Sequence, residues 1–133
     1  MAKIRMTCER GGAIDATLDE QRAPTTCAAI LAALPVEAQP IHAMWAGEEI
    51  FFSNYPGTFE YENPTIKVEY GDLAMVPESN SFCMFYGKSI PRKAVDQTVD
   101  VTVFGRVDDI AGMTEISKRI RQKGMETVRI TAL

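Results

Sequence analysis

Histidine is the side chain best suited to carry protons at neutral pH, and the sequence holds one, His42. Trp45 follows it, and Gly47, Glu48 and Glu49 come soon after. On a regular strand His42 and Glu48 share one face, and Trp45 and Glu49 share the other. A bulge at Gly47 would re-aim these side chains, so the sequence leaves open which glutamate joins His42. The alternative for His42 is a structural histidine bonded to backbone groups.

Glu62 and Asn63 form a second candidate pair, because they precede Pro64 in a stretch rich in Asn, Pro and Gly. Loops on a rigid scaffold commonly carry functional residues. The amide of Asn63 offers a donor and an acceptor, which suits it to orient a substrate amide or carboxylate. The alternative is a turn in which the Asn63 side chain bonds the nearby backbone.

Cys83 and Tyr86 lie in a third candidate region, an apolar run that ends at Gly87. Because they are three residues apart, a regular strand points them to opposite faces. Tyr86 would place its hydroxyl at the mouth of a pocket or act as a rim aromatic. Cys83 either contacts a ligand or is an inert buried thiol. Cys8 and Cys27 fall on apolar faces and are predicted to be buried thiols.

These candidates must be positioned by a mainly β scaffold, as alternating apolar and polar residues indicate. Residues 4–8 and 14–18 alternate on either side of Gly11 and Gly12, which is typical of a β-hairpin. Further strands are predicted at residues 40–52, 65–70, 73–76, 82–86, 99–107 and 128–130.

Two helices interrupt the strands. The first begins near Pro24 and ends before Pro35, because proline suits the first helical turn but cannot continue a helix. The second begins after Asp108 or Asp109, either of which can cap it, and ends at Gly124. The predicted fold is one mainly β domain over residues 1–133, a closed or nearly closed antiparallel β-barrel capped by two α-helices.

The charge and hydropathy of the chain argue against two classes of partner. The formal net charge is −4, whereas a duplex-binding protein usually carries a basic face, so no nucleic-acid partner is expected. No run reaches the roughly 18–20 apolar residues that span a bilayer. The N-terminal residues also lack the apolar core of a signal peptide. We therefore expect no membrane partner and a cytoplasmic location.

The motifs of the common cofactor and metal sites are missing from the sequence. There is no phosphate-binding glycine loop and no Gly-x-Ser-x-Gly elbow. The one histidine has no second histidine to pair with, and no two of the three cysteines stand at the spacing of a metal-binding pair. We therefore expect no cofactor and no metal, with a divalent ion held by His42 and nearby acids as the weaker alternative.

Several segments together resemble a known family. They are residues 41–52, 62–65, 71–77, 82–87 and 104–110, followed by the second helix and Gly124. The chain resembles, over nearly its whole length, a family of small bacterial proteins with a cyclophilin-like barrel. In that family a Trp-x-Gly-Glu-Glu-type strand precedes a Gly-Asp turn, an apolar-Tyr-Gly strand and a late helix. The resemblance implies the barrel fold and implies no settled activity.

Prolyl isomerases share this broad fold, and the sequence departs from their pattern. Their active face uses an arginine just after a Phe-His pair on a barrel strand. Here the matching strand reads Ile41, His42, Ala43 and Met44, so an apolar residue fills the position of the arginine. Isomerase activity is therefore disfavoured.

The hypothesis with most support from the sequence is a small-molecule pocket at one mouth of the barrel. We expect catalytic roles for His42, Glu48 and Glu62 if the protein is a hydrolase or lyase acting on a compact polar metabolite. Ligand contacts are expected from Trp45, Asn63, Cys83 and Tyr86. The alternative is a non-catalytic accessory subunit, since related barrels occur inside larger amide-hydrolysing assemblies.

Self-association is also expected, because the sequence holds seven methionines and the adjacent pair Phe51 and Phe52. On a regular strand this pair puts one aromatic ring on each face. One ring must therefore face outward. An outward phenylalanine needs a covering segment or a partner subunit.

Overall fold

A curled antiparallel sheet dominates the computed structural model, which describes residues 1–133. Its nine strands run in the order β3-β11-β1-β2-β10-β6-β7-β5-β4, and β8 and β9 form a separate hairpin. The strands are β1 (Lys3–Cys8), β2 (Ala13–Leu18), β3 (Val36–Ala38), β4 (Ile41–His42), β5 (Gly47–Phe52), β6 (Asp72–Val76), β7 (Ser81–Ser89), β8 (Arg92–Ala94), β9 (Gln97–Thr98), β10 (Thr102–Val107) and β11 (Val128–Ala132). The helices are α1 (Pro24–Ala32) and α2 (Ile110–Lys123). The sheet forms a half-barrel with two helices, which confirms the predicted mainly β fold class.

The predicted N-terminal hairpin is present. Strands β1 and β2 pair in antiparallel register, with Met6 opposite Ile14. Gly11 and Gly12 both have positive φ angles, of 110° and 83°, which glycine adopts at little cost. The alternating apolar residues of both strands are buried, so this hairpin turns one face to the core.

Both helices begin and end where the sequence predicts. Pro24 opens α1. At the start of α2, the side chain of Asp109 accepts a hydrogen bond of 3.0 Å from the backbone N–H of Gly112. At its end, Gly124 has a φ of 87° and its N–H donates to the carbonyl of Ile120.

The prediction of one strand over residues 40–52 is wrong. The chain reverses between β4 and β5, where the N–H of Ala46 donates to the carbonyl of Ala43 at 3.0 Å. The two halves then pair with each other, with His42 opposite Ile50. The sequence pattern alone does not distinguish one long strand from two short strands joined by a tight turn. Bulky apolar residues are typical of both arrangements.

Two further strand predictions need correction. Residues 65–70 form no strand, and only Thr65 makes an isolated bridge, with Val101. Conversely, residues 92–94, where the sequence predicts no strand, form β8, which pairs with β9. The short edge strand β3 has no alternating pattern long enough to predict it.

The sheet buries apolar side chains on both faces. On the inner face, defined by Ile50, Phe82 and Met84, the two helices cover a core of 26 buried residues. On the outer face, defined by Cys83 and Phe85, a second cluster of 7 buried residues includes Val99 and Val101. Successive residues of a strand point to opposite faces, so β5, β6 and β7 contribute to both clusters.

The half-barrel has two edge strands, β3 and β4, which are the ends of the strand order. Neither α1 nor α2 has the length and apolar character of a membrane-spanning helix.

Candidate functional site

A cavity of about 170 Å³ opens on the outer face of the sheet. Its walls come from β5, β6 and β7, from the turn before β5, and from the segment that carries β8 and β9. The lining residues are Ala43, Trp45, Glu49, Phe51, Ser53, Val76, Ser79, Ser81, Cys83, Phe85, Pro91, Arg92, Lys93, Val99 and Val101. The cavity is mainly apolar, with a few polar groups at fixed places, which is the usual character of a ligand pocket.

Glu49 is the buried charged group of this cavity. The residue is 4% exposed, and no lysine, arginine or histidine lies within salt-bridge distance of its carboxyl group. Burial raises the pKa of Glu49 to about 7, and the neighbouring Cys83 thiol offsets part of that rise. At neutral pH this carboxyl group therefore exists both as an acid and as an anion.

A bulge in the pairing of β5 with β7 directs Glu49 into the cavity. The register shifts between Gly47 and Glu49, so that Glu49 stands opposite Phe85. Gly47 has a φ of 118°, and a Cβ atom there would collide with the carbonyl of Lys88. The bulge that the sequence allowed for at Gly47 is therefore present.

The segment after β7 covers one side of the cavity and is fixed to the turn before β5. The indole N–H of Trp45 donates a hydrogen bond of 2.9 Å to the carbonyl of Arg92. The N–H of Ile90 donates to the carbonyl of Ala46 at 2.9 Å. The Trp45 ring packs edge-on against Phe51, with 5.7 Å between ring centroids. Phe51 is thus the outward-facing phenylalanine of the pair, and Trp45 is a residue that covers it.

His42, Glu48 and Tyr86 form a separate group on the inner side of the sheet. The Nε2 atom of His42 and the hydroxyl of Tyr86 share a hydrogen bond of 2.6 Å. Glu48 accepts a hydrogen bond of 3.1 Å from the backbone N–H of Lys88. Burial and the positive charge of Arg121 lower the pKa of His42, and the negative charge of Glu48 raises it in part. Glu48, and not Glu49, therefore accompanies His42.

Glu62 and Asn63 lie at the start of α1, away from both groups. The carboxylate of Glu62 accepts hydrogen bonds from the backbone N–H groups of Thr25 and Thr26, at 3.1 Å and 2.7 Å. The side chain of Asn63 donates to the carbonyl of Arg22 at 2.8 Å. Ala23 at the N-cap has no capping side chain, so Glu62 takes over the role of capping α1.

The structure therefore does not bring the predicted site residues together in one pocket. Trp45 and Cys83 line the outer cavity. His42, Glu48 and Tyr86 meet on the inner side. Glu62 and Asn63 hold the start of α1. These residues occupy three different places in the fold, which are the outer cavity, the inner side of the sheet and the start of α1.

The model of the family described as cyclophilin-like matches residues 2–129 of the chain. The chain belongs to the cyclophilin-like family. This membership agrees with the half-barrel, and with the resemblance that the sequence segments carry.

Two solved structures are similar to this member of the cyclophilin-like family. One is the solution structure of the hypothetical protein AF2241 from Archaeoglobus fulgidus, at 26% identity and a TM-score of 0.72, covering 99% of this chain and 95% of that chain. The other is McbB in complex with tryptophan, at 17% identity and a TM-score of 0.79, covering 96% of this chain and 44% of that chain. No curated protein matches the sequence significantly.

In this cyclophilin-like chain, sequence reasoning considered Glu49 only as an alternative partner of His42, and it missed Arg92. The signal for a separate role of Glu49 was present, because Glu49 stands two positions before Phe51 and therefore shares a strand face with it. A charged residue that shares a strand face with a large apolar residue is either exposed or buried at a site. Arg92 gave no signal, because only the fold shows that its hairpin covers the cavity.

Proposed function

We propose that the outer-face cavity binds a compact molecule with an apolar, ring-sized body and an amine that faces Glu49. The observation that carries the proposal is the Glu49 carboxyl group, which is 4% exposed in a mainly apolar cavity and has no cationic partner in the protein. An unpaired buried carboxylate is costly to a folded protein, and a bound cation compensates that cost.

The size of the cavity limits the apolar body of the ligand. Its volume is about 170 Å³. An apolar cavity of about 150 Å³ binds benzene in another protein, so this cavity can hold one aromatic ring. The walls near Phe85 and Val101 would contact the faces of that ring, while the polar group would reach the carboxyl of Glu49.

This proposal replaces the expected compact polar metabolite, because the lining is mainly apolar. McbB, a protein of the same fold, binds tryptophan, which has an aromatic body and an amine. That likeness supports a ligand of this class.

Isothermal titration calorimetry with phenethylamine tests the proposal. The amine is expected to bind the unaltered protein at pH 8, and ethylbenzene, which lacks the amine, is expected to bind more weakly. Glu49→Gln should weaken phenethylamine binding by about tenfold or more, since a charge-assisted hydrogen bond is lost. Glu48→Gln is the matched control and should leave binding unchanged. Failure to bind any single-ring amine would overturn the proposal.

A second candidate function is acid–base catalysis by the inner group, as a hydrolase or lyase. The observation that favours it is the hydrogen bond of 2.6 Å between His42 and Tyr86, beside the charges of Glu48 and Arg121. The Nδ1 atom of His42 is buried without a partner. His42 would transfer the proton, and the negative charge of Glu48 would raise the pKa of His42. If the protein turns over an ester or amide substrate, retained turnover in His42→Gln would remove this candidate.

A further inference from the structure

The cavity has a second charged group, on its covering hairpin. Arg92 lines the cavity from β8, and its backbone is held there by the Trp45 indole and by pairing with Thr98. Its guanidinium group makes no hydrogen bond and no salt bridge within the protein, whereas the neighbouring Lys93 pairs with Glu78 at 3.3 Å. Arg92 is therefore a cavity-lining residue whose guanidinium group has no partner within the protein.

We propose that Arg92 binds an anionic group of the ligand, so that the ligand class is an aromatic amino-carboxylic acid with an amine at Glu49 and a carboxylate at Arg92. This inference rests on the proposed function, because it takes the amine at Glu49 as given. A guanidinium group holds a carboxylate through two parallel hydrogen bonds, which adds both affinity and orientation.

The distribution of charge supports a zwitterion over a simple amine. One acid, Glu49, is buried in the cavity, and one unpaired guanidinium, Arg92, is half-buried at its covering segment. The walls between them are mainly apolar, and the hydroxyl groups of Ser53, Ser79 and Ser81 already bond one another at 2.7 to 2.8 Å. A ligand with both charges would therefore pair both protein groups and leave no charge unmatched.

Two pairs of probes separate this inference from the function it rests on. L-Phenylalanine is compared with phenethylamine, which lacks its carboxylate. Likewise 4-(aminomethyl)benzoic acid, with its charges at opposite ends of the ring, is compared with benzylamine. Binding to the unaltered protein and to Arg92→Gln is measured by calorimetry at pH 8, with Lys93→Gln as the matched control.

In at least one pair, the carboxylate is expected to tighten binding by about tenfold. Arg92→Gln should remove that advantage and leave the affinity for the simple amine unchanged, and Lys93→Gln should keep the advantage. If the amines bind but neither carboxylate adds affinity, this inference is overturned and the amine site stands. The inference is likewise overturned if Arg92→Gln keeps the advantage. If no probe binds, the proposed function itself fails.

Discussion

Glu48 and Glu49 are neighbours in the sequence and lie on opposite faces of β5. Glu48 accepts a hydrogen bond from the backbone of Lys88 and stands near His42 on the inner side. Glu49 is buried in the outer cavity opposite Phe85. The two carboxyl groups therefore provide a matched pair, in which the same chemical change tests two different environments.

The first prediction concerns stability as a function of pH. The pKa of Glu49 is about 7 in the folded protein, above its ordinary value of 4.5, so the folded state binds more protons between these values. Stability attributable to this group is present below pH 4.5 and is lost as pH rises to about 7. The shift corresponds to about 3 kcal/mol, at about 1.4 kcal/mol for each pKa unit.

Glu49→Gln removes this ionisation, and urea unfolding at several pH values measures the effect. The variant should match the unaltered protein at pH 4.5, the ordinary pKa. It should be more stable by about 2–3 kcal/mol at pH 8. Glu48→Gln is the matched control, because that carboxyl group lies on the inner side of the sheet and accepts a backbone hydrogen bond from Lys88. Equal stability of Glu49→Gln and the unaltered protein at both pH values would show that the carboxyl group is not buried as described.

The second prediction concerns the pH dependence of amine binding. An ammonium group binds the ionised form of Glu49, and the pKa of about 7 means that little of this form exists at low pH. The other ionisable groups that line the cavity are Cys83, Arg92 and Lys93, of which the Cys83 thiol has a pKa raised well above its ordinary value by burial. Phenethylamine should therefore bind about tenfold more weakly at pH 6 than at pH 8. Affinity that stays constant over this range would contradict an ion pair with Glu49.

The elements with clear local signals could be predicted from the sequence. Gly11 and Gly12 marked the first hairpin, because few other residues tolerate positive φ angles. Pro24, Asp109 and Gly124 indicated the helix boundaries, each for its own reason. Proline lacks the backbone N–H that would have no partner at a helix start, and the Asp109 side chain accepts a hydrogen bond from such an N–H. Gly124 adopts the positive φ angle that ends the second helix. These signals act within a few residues, so one sequence is enough to detect them.

The candidate cavity could not be predicted, because it depends on long-range pairing. Glu49 reaches Cys83 only through the shifted register of β5 and β7, and Arg92 reaches the cavity only through the hairpin that follows β7. The role of Glu62 could not be predicted either, because its hydrogen-bond partners are distant in the sequence. Its partners are the backbone N–H groups of Thr25 and Thr26, which lie 37 and 36 residues away.

The third prediction concerns His42, whose ring signals in an NMR titration are unambiguous because it is the only histidine. Burial and the charge of Arg121 lower its pKa, and Glu48 raises it in part. The measured pKa should therefore lie below the ordinary value of 6.5. Arg121→Gln should raise the pKa of His42 and Glu48→Gln should lower it. Shifts of the His42 pKa in the reverse directions would show that these two charges do not set it.

The fourth prediction concerns Glu62, which caps α1 through Thr25 and Thr26. Glu62→Ala should cost about 1 kcal/mol of stability, the usual cost of losing a helix cap, as measured by urea unfolding. The exposed Glu60→Ala is the control and should cost much less. Phenethylamine affinity should remain unchanged in Glu62→Ala at a temperature where it is folded. If folded Glu62→Ala loses much of its affinity for phenethylamine, Glu62 is part of the binding site.

The last prediction concerns Glu126, whose side chain is 0% exposed and lies between Arg10 and Arg119. These residues join the β1–β2 turn, α2 and the segment before β11, since Arg119 also donates to the carbonyl of Gly11 at 2.9 Å. Glu126→Gln would leave two guanidinium groups without their buried partner.

The cost of Glu126→Gln should be about 3–5 kcal/mol in the free energy of unfolding, because one partner of a buried ionic group is removed. Glu37→Gln breaks the exposed pair with Arg129, at 3.3 Å, and should cost at most about 1 kcal/mol. Urea unfolding of both variants at pH 7 measures the contrast. If Glu126→Gln lowers the free energy of unfolding no more than Glu37→Gln does, solvent reaches Glu126. Arg119→Gln would then also cost at most about 1 kcal/mol.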